Sequence, residues 1–178
     1  MTKYVAFLRA VNVGGRVIKM AELRACLEKA ALNEVRTFIA SGNVIFSSDI
    51  KDKAKLTKLI EESIEKTFGM KVSVLVLDFT TLEKLVKAIP TTWVNDKQMK
   101  CDVMLLWDEV DNKKILDQMP HNLEIEDIKY VPGAVIWRIN RDKVGKSRMF
   151  KLVGTNLHKQ MTSRNPNTIR KIYALIKD

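Results

Sequence analysis

Residues 34–48 read Glu34-Val35-Arg36-Thr37-Phe38-Ile39-Ala40-Ser41-Gly42-Asn43-Val44-Ile45-Phe46-Ser47-Ser48. β-branched and aromatic side chains fill 34–40 and 43–48, and Ser41-Gly42 interrupts them with residues suited to a tight turn, so the stretch predicts two adjacent strands joined as a hairpin. On its N-terminal side, Met20, Leu23, Leu27 and the Ala30-Ala31 pair recur at helical spacing over 20–31, and residues 3–9 form an apolar and aromatic strand. On its C-terminal side, Leu56, Leu59, Ile60 and Ile64 make the inner stripe of a helix that stops at Phe68-Gly69, where Gly69 suits a left-handed cap. Residues 71–78 then read as a further strand. The succession is β-α-β-β-α-β, the ferredoxin-like order.

The order begins to repeat further along. After a helix over 80–89, Pro90-Thr91-Thr92 breaks the pattern and a polar stretch from Asn95 to Lys100 serves as a linker. A strand over 101–107 follows, then a short helix at 111–118, strands at 124–131 and 134–140 around Pro132-Gly133, and a helix from Ser147 to Met161 with Phe150, Val153 and Leu157 inward. The last strand of this half is missing from the reading, and a helix over 167–176 takes its place. The expected fold is α+β: two ferredoxin-like halves packed as one compact unit, the second ending in helices. Residues 1–79 form the first half, 80–100 a helix and linker, and 101–178 the second half with basic C-terminal helices.

The chain has 178 residues, of which 46% are hydrophobic and 29% charged, enough apolar material for a packed core. Its 31 Lys+Arg against 21 Asp+Glu give a formal charge of +10. That excess is local. Residues 1–137 hold 20 basic and 19 acidic side chains, whereas Arg138 to Asp178 holds 11 basic and two acidic ones, with no carboxylate side chain between Lys143 and Lys177. The first apolar run is too short for the centre of a signal peptide and no run approaches the length of a membrane span, so a cytoplasmic protein that avoids membranes is expected. Cys26 and Cys101 fall in a helix pattern and a strand pattern, with no C-x-x-C and no histidine at ligand spacing. They read as buried structural thiols, and no metal or cofactor is expected.

Two segments near the N-terminus, Leu8-Arg9-Ala10-Val11-Asn12-Val13-Gly14-Gly15 with Met20-Ala21-Glu22-Leu23, and Thr37-Phe38-Ile39-Ala40-Ser41-Gly42-Asn43-Val44-Ile45-Phe46, resemble the signature of the bacterial domain of unknown function 1697 family. Thr162-Ser163-Arg164-Asn165-Pro166-Asn167-Thr168-Ile169 resembles its closing motif. Ala10 stands where the family usually has glycine, and Pro166 where it usually has tryptophan, so any stacking by that tryptophan is absent. The resemblance implies a two-part fold of ferredoxin-like units and implies no activity.

Two groups of residues are candidates for a site. Arg9, Asn12, Gly14 and Gly15 sit between a strand and a helix, where glycines let backbone N–H groups approach an anion, and Ser41 and Asn43 offer a hydroxyl and an amide at the hairpin tip. Turn chemistry accounts for the same residues, and the two loops need not meet, since a ferredoxin-like half leaves room for them at opposite sheet edges. The second group, Lys146, Arg148, Lys151, Arg164, Arg170 and Lys171, forms a basic C-terminal surface suited to phosphates. Asn165-Pro166 reads as a cap and first helical residue, which explains Asn165 without a ligand. The third strand carries only Phe46, not the paired aromatics with which an RRM stacks bases. His121 and His158 have no nucleophile motif beside them and read as incidental, while Trp137, next to Arg138, offers a stacking face.

The leading expectation is a non-enzymatic binding protein whose basic C-terminal surface engages nucleic acid or another polyanion. The alternative is an enzyme or sensor for a phosphorylated small molecule bound between the two halves. A module that meets an acidic protein partner would use the same basic face. The residues do not decide whether the chain is an enzyme.

Overall fold

The computed structural model describes residues 1–12, 15 and 17–177. The chain divides into two compact units: Met1–Leu82 with Ile172–Asp178, and Glu83–Lys171.

In the first unit the quoted hairpin is present as β2 (Asn33–Phe38) and β3 (Asn43–Ser48). Together with β1 (Thr2–Leu8) and β4 (Val74–Asp78) they make an antiparallel sheet in the order β2-β3-β1-β4. β1 is an unbroken apolar run because it is a central strand buried on both faces. Tyr4, Ala6 and Leu8 join the core formed with α1 (Met20–Lys29) and α2 (Lys53–Phe68), whose Leu23, Leu27, Leu56, Ile60 and Ile64 point into it. Asp52 caps α2 by accepting the Ala54 and Lys55 amides, and Gly69 ends it at φ 65°, the left-handed conformation expected there.

The second unit repeats the strand order. β5 (Met99–Leu106), β6 (Glu126–Val131), β7 (Ala134–Asn140) and β8 (Met161–Arg164) form an antiparallel sheet in the order β6-β7-β5-β8. The strand that the sequence left out is therefore present: β8 pairs with β5 from Val103↔Arg164 to Leu106↔Met161. Four residues are too few to show a strand period. The expected helix over 147–161 is replaced by 3-10 turns at Arg141–Lys146 and Met149–Leu152 and by a single α turn at Asn156–Lys159. Gly154 at φ 85° breaks the chain direction, and Thr155 starts the next turn afresh by accepting the His158 amide. The helix expected at 111–118 contracts to Ile115–Gln118, after a 3-10 turn at Asp108–Val110.

Two longer helices complete the chain, one at Phe79–Ala88 and one at Pro166–Lys177. The second starts as the sequence predicts, with the Asn165 side chain accepting the Thr168 amide at 2.9 Å. Its last turn lies in the first unit, where Lys3 Nζ donates to the Ile176 carbonyl at 2.9 Å and Arg36 donates to the Leu175 carbonyl at 2.8 Å. Cations there meet carbonyls that the helix leaves open. Among the described residues no helix is long and apolar enough to cross a membrane.

Candidate functional site

β1 and β3 are antiparallel neighbours, so the end of one lies beside the start of the other: Phe7 is opposite Asn43, and the Leu8 amide donates to the Gly42 carbonyl at 2.8 Å. The loop after β1 and the tip of the hairpin therefore meet, and the separation at opposite sheet edges that the sequence left open does not occur. Asn12 sews them together. Its Nδ2 donates to the Ala40 carbonyl at 2.6 Å and to the Ile18 carbonyl at 3.2 Å, and its Oδ1 accepts the Ile18 amide at 2.7 Å. Asn43 is buried and closes the hairpin, donating to the Phe38 carbonyl and the Ser41 hydroxyl. Arg9 is half-buried, and its amide donates to the Ser73 carbonyl. Gly15 is exposed with open space around it, and Gly14 lies outside the described residues.

Left-handed backbone concentrates in these two loops: Ala10, Asn12, Gly15, Ile39 and Gly42 have φ of 57°, 59°, 85°, 53° and 75°. At Gly42 the requirement is also steric, because a Cβ would lie 2.8 Å from the Leu8 Cβ. The Asn12 and Asn43 amides, proposed from sequence as ligand contacts, bind backbone carbonyls instead. They build the loops.

The basic residues of the C-terminal segment separate into two kinds. Arg164 is buried, donating to the Thr162 hydroxyl at 3.1 Å and the Ser163 carbonyl at 2.8 Å, and burial pulls its guanidinium down to about 10, still charged at neutral pH. Arg170 is half-buried and binds the Trp93 and Pro90 carbonyls at 2.9 and 2.8 Å. Both are engaged within the second unit, Arg170 by tying the last helix to the segment at 90–93. Lys146, Arg148, Lys151 and Lys171 are exposed, and no ion pair to a carboxylate of the described residues involves them. Cations on the first unit's helices behave differently: Lys19, Arg24 and Lys58 each lie within ion-pair distance of a glutamate on their own helix face.

The 3-10 turn at Met149–Leu152 explains how the segment presents itself. Side chains three apart eclipse in such a turn. Met149 and Leu152 are buried and enter the second unit's core with Trp137, Met104 and Ile139. Phe150 and Val153 are exposed, by 47% and 64%, and Arg148 and Lys151 fall on the remaining edge. The inward placement of Phe150 and Val153 expected from an α period is therefore overturned. Trp137, expected to offer a stacking face, is buried, with Phe150 meeting its ring edge-to-face at a 6.0 Å centroid separation.

The segment is anchored through Ser147. Its hydroxyl donates to the buried carboxylate of Glu126, which also accepts the Asn122 amide, and accepts the Met149 amide at 3.1 Å. No sequence signal marked this pair, since a glutamate within a strand pattern carries no sign of burial. A groove of about 710 Å³ between α1 and α2, lined by Glu22, Cys26, Lys29, Ser63, Lys66 and Thr67, contains none of the candidate ligand or polyanion residues. His121 and His158 are tied to nearby backbone in their turns.

The architecture defines a two-unit α+β protein in which both sheets share one strand order, with a sewn loop pair on the first. The chain belongs to the family described as Protein of unknown function (DUF1697), whose model matches residues 1–137. The match stops where the basic segment begins, and the closing motif at 162–169 lies beyond it. Over 100% of this chain and 99% of the other, the structure is similar to that of conserved bacterial protein SP0830 from Streptococcus pneumoniae, with a TM-score of 0.84 and 25% identity. No curated protein matches the chain. Neither the family nor the neighbour indicates a function.

Proposed function

We propose that the chain is a non-enzymatic binding protein that engages nucleic acid or another polyanion through Lys146, Arg148 and Lys151, with Lys171 as a further exposed cation. The observation that carries this reading is that these cations stand in solvent without carboxylate partners among the described residues, with Lys146, Arg148 and Lys151 on a segment fixed by Met149, Leu152 and the Ser147–Glu126 bond. Unpaired cations held in place attract phosphates and release counterions on binding. Arg164 and Arg170 act as supports in this reading, not as contacts. The reading takes the protein as cytoplasmic and each unit as ferredoxin-like, which the order β2-β3-β1-β4 and its repeat support. A phosphorylated small molecule held by Arg9, Asn12 and Gly15 is favoured less, because the Asn12 side chain is already engaged by backbone.

Fluorescence anisotropy of labelled DNA and RNA oligonucleotides in low salt tests the proposal. Binding is expected, weakening with salt at a log–log slope of about −0.7 to −0.9 per phosphate contacted. Lys146→Glu, Arg148→Glu and Lys151→Glu together should abolish it. Absence of binding at low salt, or binding that the triple substitution leaves unchanged, overturns the proposal.

A further inference from the structure

We propose that Phe150 is a base-stacking platform and that the polyanion bound by this segment is single-stranded nucleic acid. This rests on the reading above and deepens it. A phosphate track alone does not distinguish one polyanion from another; an exposed aromatic ring beside it does, because bases have faces and heparin or polyphosphate has none.

The three edges of the 3-10 turn place the required groups side by side. Arg148 and Lys151 supply one edge, Phe150 and Val153 the next, and Met149 and Leu152 bury the third in the core. An exposed phenylalanine gives up the gain of burial, of order 25 cal/mol per Å² of apolar surface, while its two sequence neighbours alternate between core and cation. The ring also packs against the core: buried Trp137 meets it edge-to-face at an interplanar angle of 81°. A ring already packed on a core side chain has less freedom to lose when a base stacks on it. In a duplex the faces of the bases are covered by their neighbours, so a stacking ring selects unpaired strands. The sheet of the first unit offers no such platform, since Phe46 is buried against Tyr4 at 5.5 Å.

The test compares the full-length protein with Phe150→Leu and Phe150→Trp in low salt, against a single-stranded oligonucleotide, the matching duplex, heparin and poly-glutamate. The unaltered protein should bind the single strand more tightly than the duplex. Phe150→Leu should weaken single-strand binding by about tenfold, leaving heparin affinity and the salt slope unchanged. Phe150→Trp should restore binding, with its added tryptophan emission quenched by the oligonucleotide and not by heparin. Equal loss for single strand and heparin in Phe150→Leu, or preference for duplex, overturns the stacking role while leaving the cationic reading standing. Failure of all three nucleic-acid and heparin ligands overturns both. Poly-glutamate is a polyanion without aromatic faces, so any binding it shows should resemble that of heparin and be left unchanged by Phe150→Leu; a loss there would count against the stacking role.

Discussion

The Asn12 side chain and the Ala40 carbonyl, 2.6 Å apart, join a loop that follows the first strand to the tip of a hairpin 28 residues later. Asn12 makes two further bonds with Ile18 and sits at φ 59°. Asn12→Ala removes all three bonds and places alanine in a left-handed backbone. With about 1 kcal/mol for each hydrogen bond and about 1 for the backbone, a loss on the order of 4 kcal/mol is expected. Asn12→Gly loses the bonds but not the backbone ease, so urea denaturation should find it less destabilised than Asn12→Ala by about 1 kcal/mol. Equal loss in both variants would show that the backbone is not strained.

The same loops make opposite predictions at two small residues. Ala10 at φ 57° stands where a glycine is the usual residue of the family it resembles, and relief of the left-handed conformation outweighs the entropy that glycine adds to the unfolded chain. Ala10→Gly should therefore stabilise the protein by about 0.5 kcal/mol. Gly42→Ala should destabilise it by more than about 2 kcal/mol, since the new Cβ combines a positive φ with a 2.8 Å approach to the Leu8 Cβ. Thermal unfolding of the two variants checks the signs.

The hairpin at 34–48, the flanking helices and the cap at Gly69 were legible because each rests on local chemistry: period, turn residues, left-handed tolerance. The meeting of the two loops was not, though it follows from topology. Once β1 and β3 are antiparallel neighbours, Leu8 must lie beside Gly42. The segment 141–164 misled for a different reason. Phe150, Val153 and Leu157 suit an α stripe, but a 3-10 turn advances by three residues and moves Phe150 and Val153 to solvent. Charge was legible as a run, while its division was not: Arg164 and Arg170 look like Arg148 in sequence and differ only in the carbonyls that surround them.

Ser147 and Glu126 supply a way to disturb the basic segment without changing its cations. Ser147→Ala removes a donor from a buried carboxylate, an effect of about 1–3 kcal/mol, and releases the Met149 amide. Hydrogen exchange should speed up at residues 147–152 and leave the first unit unchanged. Oligonucleotide binding should weaken, because the charges remain but their placement loosens. Unaltered exchange over that stretch would mean that Met149 and Leu152 alone hold it.

Cys101 offers a pH signature of the folded state. It is fully buried, and burial pushes its thiol from 9.0 up to about 12, with the Asp102 carboxylate adding to the rise. In the unfolded chain the thiol ionises near its ordinary value. Between pH 9 and 12 the unfolded state therefore holds fewer protons than the native state, and stability falls as pH rises through that window. Below pH 9 the thiol is neutral in both states and contributes no slope. Cys101→Ala removes this dependence, whereas lysine and tyrosine titrations are common to both proteins and cancel in the difference. The stability advantage of the unaltered protein over Cys101→Ala should thus shrink steadily above pH 9, measured by urea denaturation at several pH values. At pH 8 the native thiol should react with a disulfide reagent only as fast as the protein opens. A constant difference from pH 8 to pH 11, or rapid labelling of the folded protein, would place Cys101 within reach of water.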